Sequence, residues 1–221
     1  MNLHTLLFDL DGTLTDSQEG ITRCVAYALE TVCGIRVADR STLIPYIGPP
    51  LVDGFMANHG LDRETAVRCT AAYRERYRDT GLFENAVYPG IPEALTALRD
   101  AGYELAVATS KPEVFTDRIL AHFGLTDYFT VVSGASMDGT VSTKAQVVAQ
   151  TLRRLGDPAP ETVLMIGDRS HDVLGAAACG VRTLGVLYGF GSRAELTAAG
   201  AWAVCPTPAD LPDAVAALDR P

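Results

Sequence analysis

Leu3-His4-Thr5-Leu6-Leu7-Phe8 runs straight into Asp9-Leu10-Asp11-Gly12-Thr13-Leu14-Thr15-Asp16-Ser17, an apolar stretch that ends in an acidic, glycine-bearing turn. A short apolar run bounded by a turn reads as a buried parallel strand. The same pattern recurs at Tyr103–Ala108, Phe129–Val132, Thr162–Ile166 and Arg182–Leu187, with Ala201–Val204 as a short edge strand. Between these runs, Ile91–Ala101, Glu113–Phe123, Lys144–Leu155 and Asp172–Cys179 carry helical apolar spacing, and a last helix is expected around Ala209–Leu218. Strand and helix in alternation predict an α/β fold with an open parallel sheet and right-handed crossovers.

One stretch breaks the rhythm. From Asp16 to about Glu84 the only periodicity is helical (Ile21, Val25, Ala28, Leu29, Val32), interrupted by the turn-rich Ile47-Gly48-Pro49-Pro50-Leu51. Tyr88-Pro89-Gly90 marks the return to the α/β pattern. The 221 residues exceed the ~150-residue rule of thumb for one domain. An α/β core over residues 1–15 and 86–221, with a helical cap over 16–85 inserted after the first strand, accounts for the excess.

Hydrophobic residues make up 48% and charged residues 20%, a globular composition that excludes a disordered chain. The formal charge of -9 repels phosphodiester backbones and anionic membranes, so neither a nucleic-acid polymer nor a membrane is an expected partner. The five cysteines (Cys24, Cys33, Cys69, Cys179, Cys205) form no CxxC pair and no zinc-ligand spacing with histidine. Reduced thiols, an N-terminus without a basic leader pattern and no apolar run of bilayer length point to a cytoplasmic protein. Oligomeric state leaves no mark in the sequence.

In an open parallel sheet, ligands bind at the carboxyl ends of the strands. Asp9 and Asp11 fall at the first such end, and i, i+2 alternation aims both carboxylates at one spot. Gly12 and Thr13 follow, where backbone N–H groups could turn inward toward an anion. An acidic strand-to-loop turn, with Asp and Gly serving turn geometry alone, would read the same way. Ala108-Thr109-Ser110-Lys111 ends the second strand with hydroxyls beside a helix opened by Pro112. Ile166-Gly167-Asp168-Arg169-Ser170-His171-Asp172 delivers Asp168 at a third strand end and Asp172 a helical turn later; Lys144 starts the preceding helix. Crowded carboxylates repel and their pKa values rise, a conflict that a hard divalent cation such as Mg²⁺ resolves while bridging to phosphate oxygens.

With these motifs in this order, the chain resembles the haloacid dehalogenase superfamily over essentially its whole length, and in particular its phosphatases with a helical cap. Such a chain has a Rossmann-like core. Ile47–Leu51, Tyr88–Leu95 (YPGIPEAL), Thr109–Pro112 and Gly185–Leu196 (GVLYGFGSRAEL) resemble the phosphoglycolate phosphatase and 5′-nucleotidase branch. The resemblance implies that Asp9 is a nucleophile forming an aspartyl-phosphate and Asp11 a general acid and base. It implies that Mg²⁺ is held by the Asp9 carboxylate, the Asp11 backbone carbonyl and Asp168, with Asp172 orienting its surroundings. Gly12, Thr13, Thr109, Ser110 and Lys144 would hold the phosphoryl oxygens, and phosphoglycolate or a nucleoside monophosphate would be the substrate.

Relatives that cleave carbon–halogen bonds lack the second aspartate, so Asp11 argues against dehalogenation. The phosphonatase branch needs a cap lysine, and residues 16–84 contain none. A sugar phosphomutase would use the same aspartates, and a phospho-receiver module would share the strand-end aspartate but lack the inserted cap. Gly189-Phe190-Gly191-Ser192-Arg193-Ala194 matches a dinucleotide fingerprint, but with too little chain after it for a dinucleotide-binding unit. A loop capping the next helix is the expectation there. Arg23, Arg74, Arg76 and Tyr77 read as a solvated cap face before they read as substrate contacts, and His171 as a helix-start residue.

Overall fold

The computed structural model describes residues 3–219. Met1, Asn2, Arg220 and Pro221, at the ends of the expected core domain, lie outside the described residues. The chain divides into two compact units, Met1–Thr15 with Val87–Pro221, and Asp16–Ala86.

In chain order, β1 (Thr5–Phe8) and β2 (Thr15–Asp16) lead into α1 (Gln18–Cys33), α2 (Leu51–His59), α3 (Arg63–Asp79) and β3 (Ala86–Val87). Then follow α4 (Ile91–Asp100), β4 (Glu104–Pro112), α5 (Glu113–His122), β5 (Val131–Ala135), α6 (Lys144–Arg154) and β6 (Val163–Gly167). The chain closes with α7 (Ser170–Ala177), β7 (Arg182–Val186), α8 (Arg193–Ala199), β8 (Ala203–Cys205) and α9 (Leu211–Leu218).

Six strands form a parallel sheet in the order β5-β4-β1-β6-β7-β8, while β2 and β3 pair separately. β1 is central, and Leu6, Leu7 and Phe8 are fully buried. Leu7, Ala106, Ala108, Val163 and Met165 of the sheet join Val147, Val148 and Leu152 of α6 and Ala176 of α7 in one apolar cluster. Each such leucine or valine contributes ~1.5–3 kcal/mol by leaving water, enough to anchor the strand ends against a costly polar cluster.

Two boundaries differ from the sequence expectation for physical reasons. β4 does not stop at Ala108 but runs on to Pro112, shifting register against β5 between Ala108 and Pro112. Such an irregularity re-aims side chains at a strand end. β5 begins at Val131 because a 3₁₀ turn, Thr126–Tyr128, precedes it and Phe129 turns its ring edge-on to Phe8, 6.1 Å between centroids.

The inserted unit is helical. Asp62 caps α3 by accepting the Thr65 N–H at 2.8 Å, and Gly34 ends α1 in the left-handed region at φ 70°. Ile47 of the Ile47–Leu51 loop is buried and Pro50 stands at the N-cap of α2. Tyr77 is buried and stacks on Tyr73, while the Tyr46 hydroxyl lies 2.6 Å from His59 Nδ1. Arg76 and Arg23 both converge on Glu84, at 2.7 Å each. Among the described residues, no helix is long and apolar enough to cross a membrane.

Glu84 is a test of that unit. The Arg76 hydrogen bond, and after it Arg23, outweighs burial and holds the Glu84 carboxyl below its ordinary value of 4.5. A carboxyl whose folded pKa is depressed adds stability above its unfolded pKa and loses it as pH falls through the folded value. Glu84→Gln should therefore destabilise the protein by ~1–2 kcal/mol at pH 7 in urea titration. The gap should close progressively below pH 4.5, and an equal gap at pH 7 and pH 3 would refute the ion-pair account.

Candidate active site

β1 carries Asp9 to the carboxyl edge of the sheet, where its N–H donates to the Ile166 carbonyl at 2.9 Å. The chain then leaves strand geometry. The Leu10 carbonyl accepts the N–H groups of Thr13, Leu14 and Thr15 at 3.2, 2.9 and 3.0 Å, and Gly12 donates to the Thr15 carbonyl at 2.8 Å. Gly12 sits at φ +85°, and a methyl there would run into the Asp168 carboxylate. In this turn the Gly12 and Thr13 N–H groups, expected to face a phosphate, donate to the Thr15 and Leu10 carbonyls.

Asp11 falls in this turn, beyond the end of β1 and outside the carboxylate group formed by Asp9, Asp168 and Asp172. Its Oδ2 lies 2.8 Å from Lys111 Nζ, while Oδ1 is buried with no hydrogen-bonding partner. Lys111 escaped the sequence reading. It is buried at the prolonged end of β4, where its N–H donates to the Thr109 hydroxyl oxygen at 3.2 Å. Thr109 itself is buried and Ser110 half-buried.

Lys144 opens α6 behind a capping box, in which Gln146 N–H donates to Thr143 Oγ1 and Thr143 N–H to Gln146 Oε1. Its ammonium, only 5% exposed, reaches Asp9 Oδ1 at 2.6 Å, Asp172 Oδ1 at 2.8 Å and the Ala108 carbonyl at 3.0 Å. The contacts to Asp9 and Ala108 are hydrogen bonds, and that to Asp172 is an ion pair. Burial pushes the Lys144 pKa down, but the charges of Asp172 and Asp9 prevail and raise it, so the side chain stays a cation.

Asp168 at the end of β6 is fully buried. Its Oδ2 accepts the Phe190 N–H at 2.7 Å and its Oδ1 lies 3.5 Å from the Thr13 hydroxyl. Asp172, in the first turn of α7, accepts the Arg169 N–H at 3.0 Å. Burial, then the charges of Asp172 and Asp9, raises the Asp168 pKa well above the carboxylate range. Burial raises Asp172 as well, against the pull of Lys144. Oxygens of Asp9, Asp168 and Asp172 lie within 4.8 Å of one another. Three buried carboxylates face one internal ammonium, so the set is short of positive charge. An all-oxygen donor set of this kind fits a hard metal cation.

Gly189–Ala194 is the wall behind Asp168. Phe190 supplies the N–H just described, and Ser192 caps α8 by accepting the Glu195 N–H at 3.1 Å, as expected of a helix-capping loop. Glu195 in turn accepts from Arg169 Nε and Ser170 N, each at 2.9 Å, fixing the entry to α7. The Tyr188 hydroxyl donates to the Thr13 carbonyl at 3.1 Å and braces the turn after β1. His171 is exposed on α7.

Residues 6–186 match the model of the family described as haloacid dehalogenase-like hydrolase. A 5′-nucleotidase of Pseudomonas aeruginosa is 50% identical over 193 residues, covering 87% of this chain and 86% of the relative. The tyrosine-protein kinase PtkA of Mycobacterium tuberculosis is 45% identical over 186 residues, 84% of this chain but 62% of the relative. Among solved structures, a predicted phosphatase from Clostridium acetobutylicum superposes with a TM-score of 0.94 at 43% identity, covering 98% of this chain and 100% of that one.

Gly175, inside α7, tests how tightly Lys144 is housed. A methyl there would stand 2.5 and 2.6 Å from Lys144 Cγ and Cβ and 3.0 Å from the Ala145 nitrogen. Alanine gains ~1 kcal/mol of helix propensity over glycine, whereas overpacking costs ~1–3 kcal/mol. Gly175→Ala should lower stability in urea titration. A variant more stable than the parent would show that α6 shifts freely and that Lys144 is not confined.

Proposed function

We propose that this chain, which belongs to the haloacid dehalogenase-like hydrolases, is a Mg²⁺-dependent phosphatase of small phosphomonoesters working through an aspartyl-phosphate. The observation that carries the proposal is Asp9. It is a strand-end carboxylate held at 2.6 Å by a buried ammonium and sharing an oxygen cluster with Asp168 and Asp172.

An Asp9 oxygen attacks phosphorus while the bond to the leaving alcohol breaks, with the Lys144 ammonium paired to Asp9. Asp11 gives its proton to the departing oxygen. It then takes a proton from the water whose oxygen attacks phosphorus and frees Asp9. A positioned acid/base of this kind supplies ~10²–10⁴-fold in rate. Thr109, Ser110 and Lys144 contact the phosphoryl oxygens. The carboxylates of Asp9 and Asp168, with the Asp11 carbonyl, would hold Mg²⁺, and Asp172 would orient them. Bound there, the cation would neutralise charge on the phosphoryl oxygens.

Nucleoside 5′-monophosphates lead the substrate expectation on the strength of the 5′-nucleotidase relative. Phosphoglycolate follows from the resemblance of Ile47–Leu51 and Gly185–Leu196 to its phosphatases. A panel of these phosphates with Mg²⁺ tests the ranking, and a sugar phosphate isomerised faster than it is hydrolysed would favour the mutase reading. ATP with a tyrosyl peptide belongs in the panel because of the PtkA relative.

EDTA should abolish phosphate release from an aryl phosphate, and Mg²⁺ should restore it. Asp9→Asn should reduce turnover by more than ~10³-fold while the protein still folds. Metal-independent turnover, or an Asp9→Asn variant near the parental rate, would sink the mechanism. Asp11→Asn should slow turnover by ~10²–10⁴-fold with KM little changed.

A further inference from the structure

Lysine is almost never buried unless something compensates it, because an unpaired ammonium removed from water is costly. The Lys111 side chain is 5% exposed, and its Nζ lies 2.8 Å from Asp11 Oδ2. Lys144 is engaged elsewhere, hydrogen-bonded to Asp9 and the Ala108 carbonyl and ion-paired with Asp172. The two buried lysines thus divide between them the two aspartates that follow β1. The register shift of β4 between Ala108 and Pro112 is the local cause that carries Lys111 to this place. β4 is also the hydrogen-bonded neighbour of β1, which puts the two strand ends side by side. With Oδ2 engaged, Asp11 Oδ1 is left buried and without a hydrogen-bonding partner.

We propose that Lys111 is a positioning residue for Asp11. Its ammonium holds Oδ2, fixes the carboxylate in one rotamer and presents Oδ1 first to the leaving oxygen, which gains a proton, and then to the water, which loses one. The proposal rests on the acid/base role given to Asp11 above. The proton that leaves Oδ1 goes to the departing alkoxide as its bond to phosphorus breaks. It is replaced by one from water as the water oxygen bonds to phosphorus and the Asp9 carboxylate is released. Lys111 itself exchanges no proton and makes no bond to phosphorus.

The experiment is a double-mutant cycle on the intact protein with Mg²⁺, hydrolysing a nucleoside 5′-monophosphate. Lys111→Met, Asp11→Asn and the double variant are compared, with thermal melts as a check of folding. Lys111→Met should lower kcat by ~10–100-fold at nearly constant KM, the loss expected from a misplaced catalytic group. In the Asp11→Asn background the same substitution should change kcat by less than about twofold, because the group it positions is already disabled. Lys111→Arg, which keeps the charge, should recover most of the rate and covers the case in which the methionine variant fails to fold.

A raised KM with unchanged kcat would make Lys111 a substrate contact and overturn the proposal. So would an equal loss in both backgrounds, or an arginine variant as slow as the methionine one. If Asp11→Asn alone leaves kcat untouched, the acid/base reading of Asp11 fails instead, and the two failures are distinguishable.

Discussion

Three buried carboxylates whose oxygens lie within 4.8 Å of one another repel, and the Lys144 ammonium stands against two of them at 2.6 and 2.8 Å. Two unit charges at 4 Å interact by about 4 kcal/mol at an effective dielectric constant of 20. Removing the lysine would leave every one of these contacts repulsive. The site therefore needs a scaffold able to hold it together against its own charge. The parallel sheet supplies this by burying β1 on both faces and fixing Asp9 and Asp168 on adjacent strands, β1 and β6.

The elements around the sheet can be read as answers to that demand. The capping box at Thr143 and Gln146 fixes where α6 begins and hence where Lys144 enters. The loop from Gly189 closes over Asp168 with a backbone N–H, which stabilises its charge without adding a competing cation. Glu195 ties that loop to Arg169 and Ser170, so the wall behind Asp168 and the helix carrying Asp172 are built as one piece. What remains is a deficit of positive charge, and burial followed by the charges of Asp172 and Asp9 raises the Asp168 pKa. A protein that filled the deficit with a further lysine would be more stable and would lose the place for a cation.

The sheet and most of the site were legible because strand ends are marked twice in the sequence, by where apolar runs stop and by the polar residues that follow. Asp9, Thr109 and Asp168 sit at such marks, and Lys144 at a helix start marked by Thr143 and Gln146. Lys111 carries a mark too, in Thr109-Ser110-Lys111-Pro112, but a lysine after a strand ordinarily points into water. Nothing local announces that β4 runs on past Ala108. Its partner Asp11 is distant in the chain and becomes a neighbour only through the order of strands. Gly12 and Thr13 are a different case. A glycine after an acidic strand end suggests inward N–H groups, yet whether those donors are free depends on the hydrogen bonds of the turn, which Leu10 and Thr15 claim.

The net charge of -9 and an anionic substrate are compatible for the same physical reason. Long-range repulsion acts through solvent and falls off within about 10 Å at 0.1 M salt. The local field at the end of β1 is set at short range by the buried carboxylates and the two ammonium groups among them, and a cation held there would supply the missing positive charge. An acidic surface then discriminates by size of charge. A polymer of phosphates meets the whole surface, whereas a single phosphate need only reach the strand ends. Net charge therefore works against a polyanion and leaves a single phosphate group compatible with the strand ends.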